Sequence, residues 1–164
     1  SGASSVLNVD FSASALAVGR ENAALNSVSM DCLQSDAIPA MRQLAGLPIK
    51  GRAARRRYPR LQPRQFDRVI LDPPTFARSP FGAVDLVRDY PALFKPAALA
   101  CAPGGAVLAT NHVSAVGLQA WLDILRRCAQ KAGRPIKRLE VLEPEADFPS
   151  LDGVHLLKMA LCWF

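Results

Sequence analysis

The sequence has no long apolar run, few histidines and no closely spaced cysteines, and each of these features argues against a class of protein. No stretch approaches the roughly 18 consecutive apolar residues of a membrane-spanning helix, and no signal-peptide pattern opens the chain, so we expect no membrane partner. The four cysteines are scattered, without a C-x-x-C pair or a nearby histidine, which argues against a zinc site and a disulfide framework. We therefore expect no metal ion and a reducing, cytoplasmic environment.

The positive charge of the chain is concentrated in one segment. The net charge is +6, and the segment 50–68, with eight basic residues and one acid, carries +7. Its prolines and glycine favour an exposed loop, inserted at 46–65, over a helix. A charge run is most often a solvated surface, but an aromatic ring among arginines favours a polyanion partner. The candidate contacts are Arg55, Arg56, Arg57, Tyr58 and Arg60.

Apolar runs alternate with helical periodicities along the single domain of residues 1–164. This alternation is typical of an α/β fold with a Rossmann-like, mostly parallel sheet flanked by helices. Strands are expected at 5–10, 28–34, 69–71, 106–110, 136–142 and 156–164, and helices at 12–26, 38–44, 84–102 and 116–132. The third helical region should be broken by Pro91 and Pro96, and Pro103-Gly104-Gly105 should turn the chain into the next strand. The last two strands, joined without a helix, imply an antiparallel hairpin.

The strand that ends at Leu71 is followed by Asp72, Pro73 and Pro74. Proline cannot continue a central strand, so the chain must leave the sheet stiffly at this point. Ligands bind at the carboxyl ends of strands in open α/β sheets. Asp72 is therefore a candidate for chemistry, with an ordinary proline-rich loop as the alternative.

Two other predicted strands also end near an acid, at Asp10 and Asp36. The carboxyl ends of parallel strands share one edge of a sheet, so the three acids should face one crevice. Asp10 is placed to accept hydrogen bonds from ribose hydroxyls, and Asp36, one strand further out, from an adenine amino group. Each acid alone could be a helix N-cap, but the three together favour a nucleoside site.

Several short motifs follow one another along the chain. They are Asn8-Val9-Asp10-Phe11-Ser12, Ser35-Asp36, Asp72-Pro73-Pro74-Thr75-Phe76, Arg88-Asp89-Tyr90 and Pro103-Gly104-Gly105. In this order and spacing they resemble class I S-adenosylmethionine-dependent methyltransferases, and they are similar to the bacterial members that modify large-subunit ribosomal RNA. The resemblance covers essentially the whole chain, and it implies S-adenosyl-L-methionine as cofactor and RNA as substrate.

The resemblance also implies roles for individual residues. The implied cofactor-binding residues are Asp10, Phe11, Asp36, Ala37 and Asp72, and the implied catalytic residues are Asp72, Pro73, Pro74 and Phe76. The Asp72 carboxylate and the Pro73 carbonyl would accept hydrogen bonds from the target base, and Phe76 would stack on it. Methyl transfer itself requires little beyond the alignment of nucleophile, methyl group and sulfur.

The residues after the strand at 106–110 bear on the target atom. Relatives that methylate carbon 5 of cytosine carry a nucleophilic cysteine there, whereas this chain reads Thr110-Asn111-His112. The resemblance therefore favours a guanine nitrogen, with Asn111 as a further RNA contact, and leaves cytosine carbon 5 as the alternative. His112 is interpreted as an ordinary residue at a strand end.

The sequence departs from the family at its start, because no strand and glycine-rich loop precede Asp10. We therefore expect a fragment or a truncated derivative that binds the cofactor weakly. That strand is normally central, so the strands ending at Asp10 and Asp72 must pair directly, or another chain must fill the gap by self-association. Two other functions stay open: a non-catalytic RNA-binding remnant, and a methyltransferase for a protein or small-molecule substrate.

Overall fold

The computed structural model describes residues 2–50, 54–55, 57–79, 82–145 and 155–164. In chain order the elements are β1 (Leu7–Asp10), α1 (Ala13–Leu25), β2 (Asp31–Gln34), α2 (Ala37–Leu44), β3 (Phe66–Leu71), β4 (Phe76–Ser79), β5 (Gly82–Asp85), α3 (Leu86–Ala100), β6 (Cys101–Asn111), α4 (Leu118–Lys131), β7 (Arg138–Leu142) and β8 (Lys158–Trp163). The predicted α/β class is confirmed.

The largest sheet has four strands in the order β3-β6-β8-β7. β3 runs parallel to β6, whereas β8 is antiparallel to both of its neighbours, β6 and β7. The expected closing hairpin is therefore present, with β8 inserted between β6 and β7. β1 and β2 form a separate parallel pair, and β4 and β5 form an antiparallel hairpin that the sequence analysis did not predict.

A gap separates the β1–β2 pair from the four-stranded sheet. Among the described residues β1 pairs with β2 and β3 pairs with β6, so the direct pairing of β1 with β3 considered above is wrong. Helix α2 links the two parts, because it packs against both β1 and α3. The outer edge of β3 is left open, and Ile70 on this strand is 74% exposed.

Helices α3 and α4 cover one face of the four-stranded sheet. Side chains in register across that face, Val107 and Cys162 among them, are fully buried beneath the helices. The rings of Tyr90 on α3 and Trp121 on α4 meet edge to face, with centroids 5.8 Å apart. This contact holds α3 against the sheet near the carboxyl end of β3.

Helix α3 continues through Pro91 and Pro96, so the predicted break is wrong. Each interior proline costs about 3 kcal/mol of helix stability. Tyr90, Leu93 and Phe94 are nevertheless buried on the sheet side of the helix, and burial of one large apolar side chain contributes about 1.5–3 kcal/mol. Tertiary burial therefore outweighs the local preference for a break.

Strand β2 begins at Asp31, three residues later than predicted, because the preceding residues complete the end of α1. Ser27 has a positive φ of 52°. The amide of Val28 donates to the carbonyl of Ala23 at 3.0 Å, and that of Ser27 donates to Ala24 at 3.0 Å. These two bonds form a Schellman motif, which occupies the residues that were expected to start the strand.

The Pro103-Gly104-Gly105 run lies inside β6 as a bulge and does not precede the strand as predicted. Phe66 pairs with Cys101 and Arg68 pairs with Ala106. The single β3 residue between these two pairs therefore lies opposite four residues of β6. Gly104 takes a φ of 78°, and a Cβ at Gly105 would lie 2.7 Å from the Asp67 carbonyl oxygen. The two glycines therefore allow the bulge to close against β3.

Candidate functional site

A crevice of about 410 Å³ lies in the gap between β1 and β3, with α2 and α3 forming its walls. Asp10, Asp36 and Asp72 all line it, although their strands belong to two different sheets. The remaining predicted residues of the crevice lining are Phe11, Ala37, Pro73 and Pro74. The described structure thus brings together the acids that the sequence placed at strand ends.

Asp10 ends β1 and turns the chain into α1. Its Oδ1 accepts a hydrogen bond from the Ser12 amide at 2.7 Å, and the Ser12 hydroxyl in turn accepts one from the amide of Ala15 as the helix N-cap. The next side chain, Phe11, is half exposed at the mouth of the crevice. The carboxylate is therefore held by the backbone beside an accessible aromatic ring.

Asp36 is the N-cap of α2. Its Oδ1 accepts a hydrogen bond from the Ile38 amide at 3.0 Å, and the residue is only 8% exposed. The N-cap alternative raised by the sequence is thus correct for this residue. A helix N-terminus carries partial positive charge, so the cap also stabilises a carboxylate close to the crevice.

Asp72 is held by β6, the strand beside β3. Leu71 pairs with Ala109 in the parallel register, which places Asp72 beside Thr110. The Thr110 hydroxyl donates a hydrogen bond to Asp72 Oδ1. Asp72 itself is exposed, so its carboxylate is oriented by the protein and still open to a ligand.

Tyr90 supports Thr110 from beneath. Its buried hydroxyl donates to the Thr110 carbonyl oxygen at 2.8 Å. Burial raises the pKa of Tyr90 well above its usual range, so the hydroxyl remains a donor at neutral pH. The position of Asp72 is therefore set by a chain of contacts that reaches into the core between α3 and α4.

His112 contacts Pro73, the first proline of the corner formed by Asp72, Pro73 and Pro74, which we call the diproline corner. Its Nε2 lies 3.1 Å from the carbonyl oxygen of Pro73, and Pro73 is buried. A carbonyl oxygen can only accept, so the imidazole must carry a hydrogen on Nε2. Sequence reasoning missed the positioning roles of Thr110 and His112, because the signal that identifies them is the pairing of β3 with β6.

Asn111 does not fit the predicted contact with RNA. The residue is fully buried, and its Oδ1 accepts a hydrogen bond from the Val113 amide at 2.8 Å. Its Nδ2 has no hydrogen-bond partner within the described ranges. The side chain therefore shapes the turn after β6 and is not available at the surface.

Most of the basic segment lies apart from the crevice, and only its end, at Phe66 and Arg68, is among the described lining residues. Arg55, Arg57 and Arg60 are exposed, and the Arg60 guanidinium lies 5.1 Å from the centroid of the Tyr58 ring. Gln43 on α2 anchors the segment, since its Nε2 donates to the Pro59 carbonyl at 2.9 Å. The predicted contact Arg56 and the side chain of Phe76 lie outside the described residues.

Within the described ranges, no three histidine, cysteine, aspartate or glutamate residues are grouped so as to hold a metal ion. None of the helices in this part of the chain is long and apolar enough to cross a membrane.

An α/β domain with carboxylates at the ends of parallel strands, facing one crevice, belongs to the class of proteins that bind nucleotide-like cofactors. Comparison with known proteins identifies the family. The sequence model of the S-adenosylmethionine-dependent methyltransferases matches residues 1–163, and the chain belongs to this family.

Curated relatives carry the name ribosomal RNA large subunit methyltransferase I. The protein from Aeromonas salmonicida is 30% identical over 148 residues, which cover 90% of this chain and 34% of the relative. The protein from Vibrio vulnificus is 29% identical over 154 residues, with 91% and 35% covered. The chain therefore spans about a third of the length of these curated relatives.

Solved structures support the fold. A methyltransferase crystallised in complex with SAH superposes with a TM-score of 0.74 at 16% identity, covering 99% of this chain and 40% of that one. The S-adenosylmethionine-dependent methyltransferase SibL, solved in its apo form, gives a TM-score of 0.52 at 17% identity, with 97% and 43% covered. At these identities the likeness concerns the architecture alone.

Proposed function

We propose that the protein is part of an S-adenosylmethionine-dependent methyltransferase that methylates a base of large-subunit ribosomal RNA in the cytoplasm. The observation that supports this most directly is the crevice in which Asp10, Asp36 and Asp72 meet, in a chain of this family. The names of the curated relatives point to ribosomal RNA as the substrate.

The residues of the crevice fit the nucleoside half of the cofactor. Asp10 offers a half-buried carboxylate to the ribose hydroxyls, and Asp36 offers a buried carboxylate to the adenine amino group. The exposed ring of Phe11 provides an apolar surface beside them. When bound, S-adenosylmethionine supplies an electrophilic methyl group on its sulfonium centre.

Asp72 and Pro73 would bind the target base. Thr110 donates to Oδ1 of Asp72, which leaves Oδ2 to accept from a base N–H, and the Pro73 carbonyl keeps a second lone pair beyond the bond from His112. These acceptors suit the exocyclic amino group and the ring N–H of guanine. They orient the base, and the lone pair of the base is the nucleophile.

The cysteines argue against the cytosine alternative, in which a thiolate adds to the ring. Burial raises the pKa of the thiols of Cys101, Cys128 and Cys162, so these groups are protonated at neutral pH. A protonated, buried thiol is a poor nucleophile. A guanine nitrogen is therefore the proposed target.

Calorimetric titration with S-adenosylmethionine tests the cofactor assignment. Asparagine at position 10 keeps the oxygen that accepts from Ser12 and removes the charge, so Asp10→Asn should fold. The loss of one charged hydrogen bond, about 1.5–3 kcal/mol, should weaken binding roughly 10- to 150-fold. The matched control is Asp31→Asn at the opposite end of β2, which should bind as the wild type does. Equal affinities in both variants would refute the assignment.

Transfer of tritiated methyl groups into ribosomal RNA tests the reaction. Asp72→Asn should abolish transfer while leaving the melting temperature unchanged, because Asp72 is exposed. Near wild-type turnover would show that Asp72 has no catalytic role. RNA binding without cofactor binding would instead identify a non-catalytic remnant, and methylation of protein but not RNA would identify another substrate.

A further inference from the structure

The amino end of the four-stranded sheet carries stacked arginines, and one of them, Arg68, also lines the crevice at the end away from Asp72. Arg68, Ala106, Trp163 and Arg138 pair with one another in register across β3, β6, β8 and β7. Residues in register project from the same face, and the small Ala106 leaves room above it. The two guanidinium groups consequently lie 4.7 and 4.9 Å from the centroid of the Trp163 ring.

One more arginine extends this arrangement. The Arg64 guanidinium lies 4.8 Å from the centroid of the ring of Phe66, which comes two residues before Arg68. Arg134 also stacks on a ring, that of Phe164 at 5.6 Å, but Phe164 is buried in the core on the other face of the sheet, so Arg134 does not belong to the arrangement. We call Arg64, Arg68 and Arg138 the stacked-arginine surface.

The charges of this surface are mostly not neutralised by the protein. Within the described residues the surface has one ion pair, between Arg138 and Glu140 at 3.6 Å, and the Arg138 side chain remains 64% exposed. Arg68 donates to the backbone oxygen of Asp67 at 2.7 Å, and Arg64 donates to the hydroxyl of Ser5 at 3.0 Å. Both partners are neutral, so they orient the guanidinium groups without cancelling their charge.

Stacking on aromatic rings orients these guanidinium groups so that they can bind phosphate. When a guanidinium stacks on an aromatic ring, the flat face of the guanidinium makes the contact. The N–H groups at its edge therefore stay available for paired hydrogen bonds to phosphate oxygens. A free arginine side chain loses rotamer entropy when it is fixed, and part of that loss has already occurred here. A row of fixed, exposed cations is therefore complementary to a regular chain of anions.

We infer that the stacked-arginine surface docks the phosphate backbone of RNA, at the end of β3 opposite to Asp72. That the polyanion is RNA rests on the proposed function. Arg64 and Arg68 belong to the basic segment, in which Arg60 also stacks on an aromatic ring, that of Tyr58. Three residues of β3 lie between Arg68 and Asp72, and the four residue steps span about 13 Å, so RNA held at one end of the strand can place a base at the other.

The salt dependence of RNA binding tests the inference. Fluorescence anisotropy with a labelled ribosomal RNA transcript, over a series of KCl concentrations, gives the slope of log affinity against log salt. Each phosphate contact contributes about 0.7–0.9 to that slope, so the double variant Arg68→Gln/Arg138→Gln should flatten it by about 1.5. The control, Arg126→Gln/Arg127→Gln on α4, removes the same charge from another exposed surface and should leave the slope unchanged.

A second pair of variants covers the case in which the glutamine variant is unstable. Arg68→Lys/Arg138→Lys keeps both charges and so keeps the slope, but it should bind RNA more weakly, because an ammonium group does not offer a planar pair of donors. An unchanged slope in the glutamine pair, or an equal loss in the α4 control, would overturn the inference. So would unchanged affinity of the lysine pair. Cofactor binding is followed by calorimetry in Arg138→Gln, because Arg138 does not line the crevice, and it should equal that of the wild type. A failure of the proposed enzymatic function is therefore seen separately.

Discussion

Replacing Thr110 with valine separates the shape of this side chain from its hydroxyl group. Valine has nearly the same volume, and Thr110 is buried, so the fold around β6 should be preserved. The variant removes the hydrogen bond to Asp72. A hydrogen bond to a charged group contributes about 1.5–3 kcal/mol, and we expect the lower figure because Asp72 is exposed and water replaces part of the bond.

The expected effect is a roughly tenfold lower kcat for methyl transfer, since about 1.4 kcal/mol of barrier corresponds to a factor of ten. Cofactor affinity should not change, because the hydrogen bond to Oδ1 fixes the carboxylate whose other oxygen, Oδ2, is proposed to bind the base. Steady-state kinetics with ribosomal RNA, together with calorimetry, separates the two effects.

Thr110→Ser is the matched control, because it keeps the hydroxyl and loses the methyl group. It should be less stable than the wild type but retain most of its transfer rate. The reasoning is wrong if the folded valine variant turns over at the wild-type rate. It is also wrong if valine and serine reduce the rate equally.

Two further predictions concern stability. Gly105→Ala should lower the free energy of unfolding, measured by urea titration, by about 1–3 kcal/mol, because the new Cβ would lie 2.7 Å from the Asp67 carbonyl oxygen. The control is Gly19→Ala within α1, whose Cβ would meet only side chains, and equal stability of the two variants would contradict the prediction. Burial raises the pKa of Cys162 from 9.0 to about 12, so its contribution to stability is complete below pH 9 and is lost as the pH rises towards 12, by up to about 1.4 kcal/mol per pH unit. Cys162→Ala should flatten the alkaline fall of the unfolding free energy, and parallel curves for the two proteins would refute the assignment.

The diproline corner was predictable because its information is local. Asp72, Pro73 and Pro74 follow one another, and the rule that ends a strand at proline needs no knowledge of the rest of the fold. The contacts from Thr110 and His112 were not predictable in the same way. They come from residues nearly forty positions later in the chain, and they depend on the parallel pairing of β3 with β6.

The errors in the secondary structure have the same origin. Pro91 and Pro96 oppose a helix locally, but the buried side chains beside them fix the helix against the sheet. Ser27 and Val28 look like the start of a strand, and they are used instead to close α1. In each case a contact with distant residues, or a specific hydrogen-bond motif, decided between two structures that the local sequence allows.

Charge counting found only part of the basic surface, for a physical reason. It located the segment that ends at Arg68, because those cations are adjacent in sequence. Arg138 and Trp163 come much later, and only the sheet order β3-β6-β8-β7 brings them beside Arg68. The proposed polyanion-binding surface and the proposed base-binding corner therefore lie at the two ends of one strand, β3. A substrate that spans about 13 Å along it can use both, which relates the excess of positive charge to the position of Asp72.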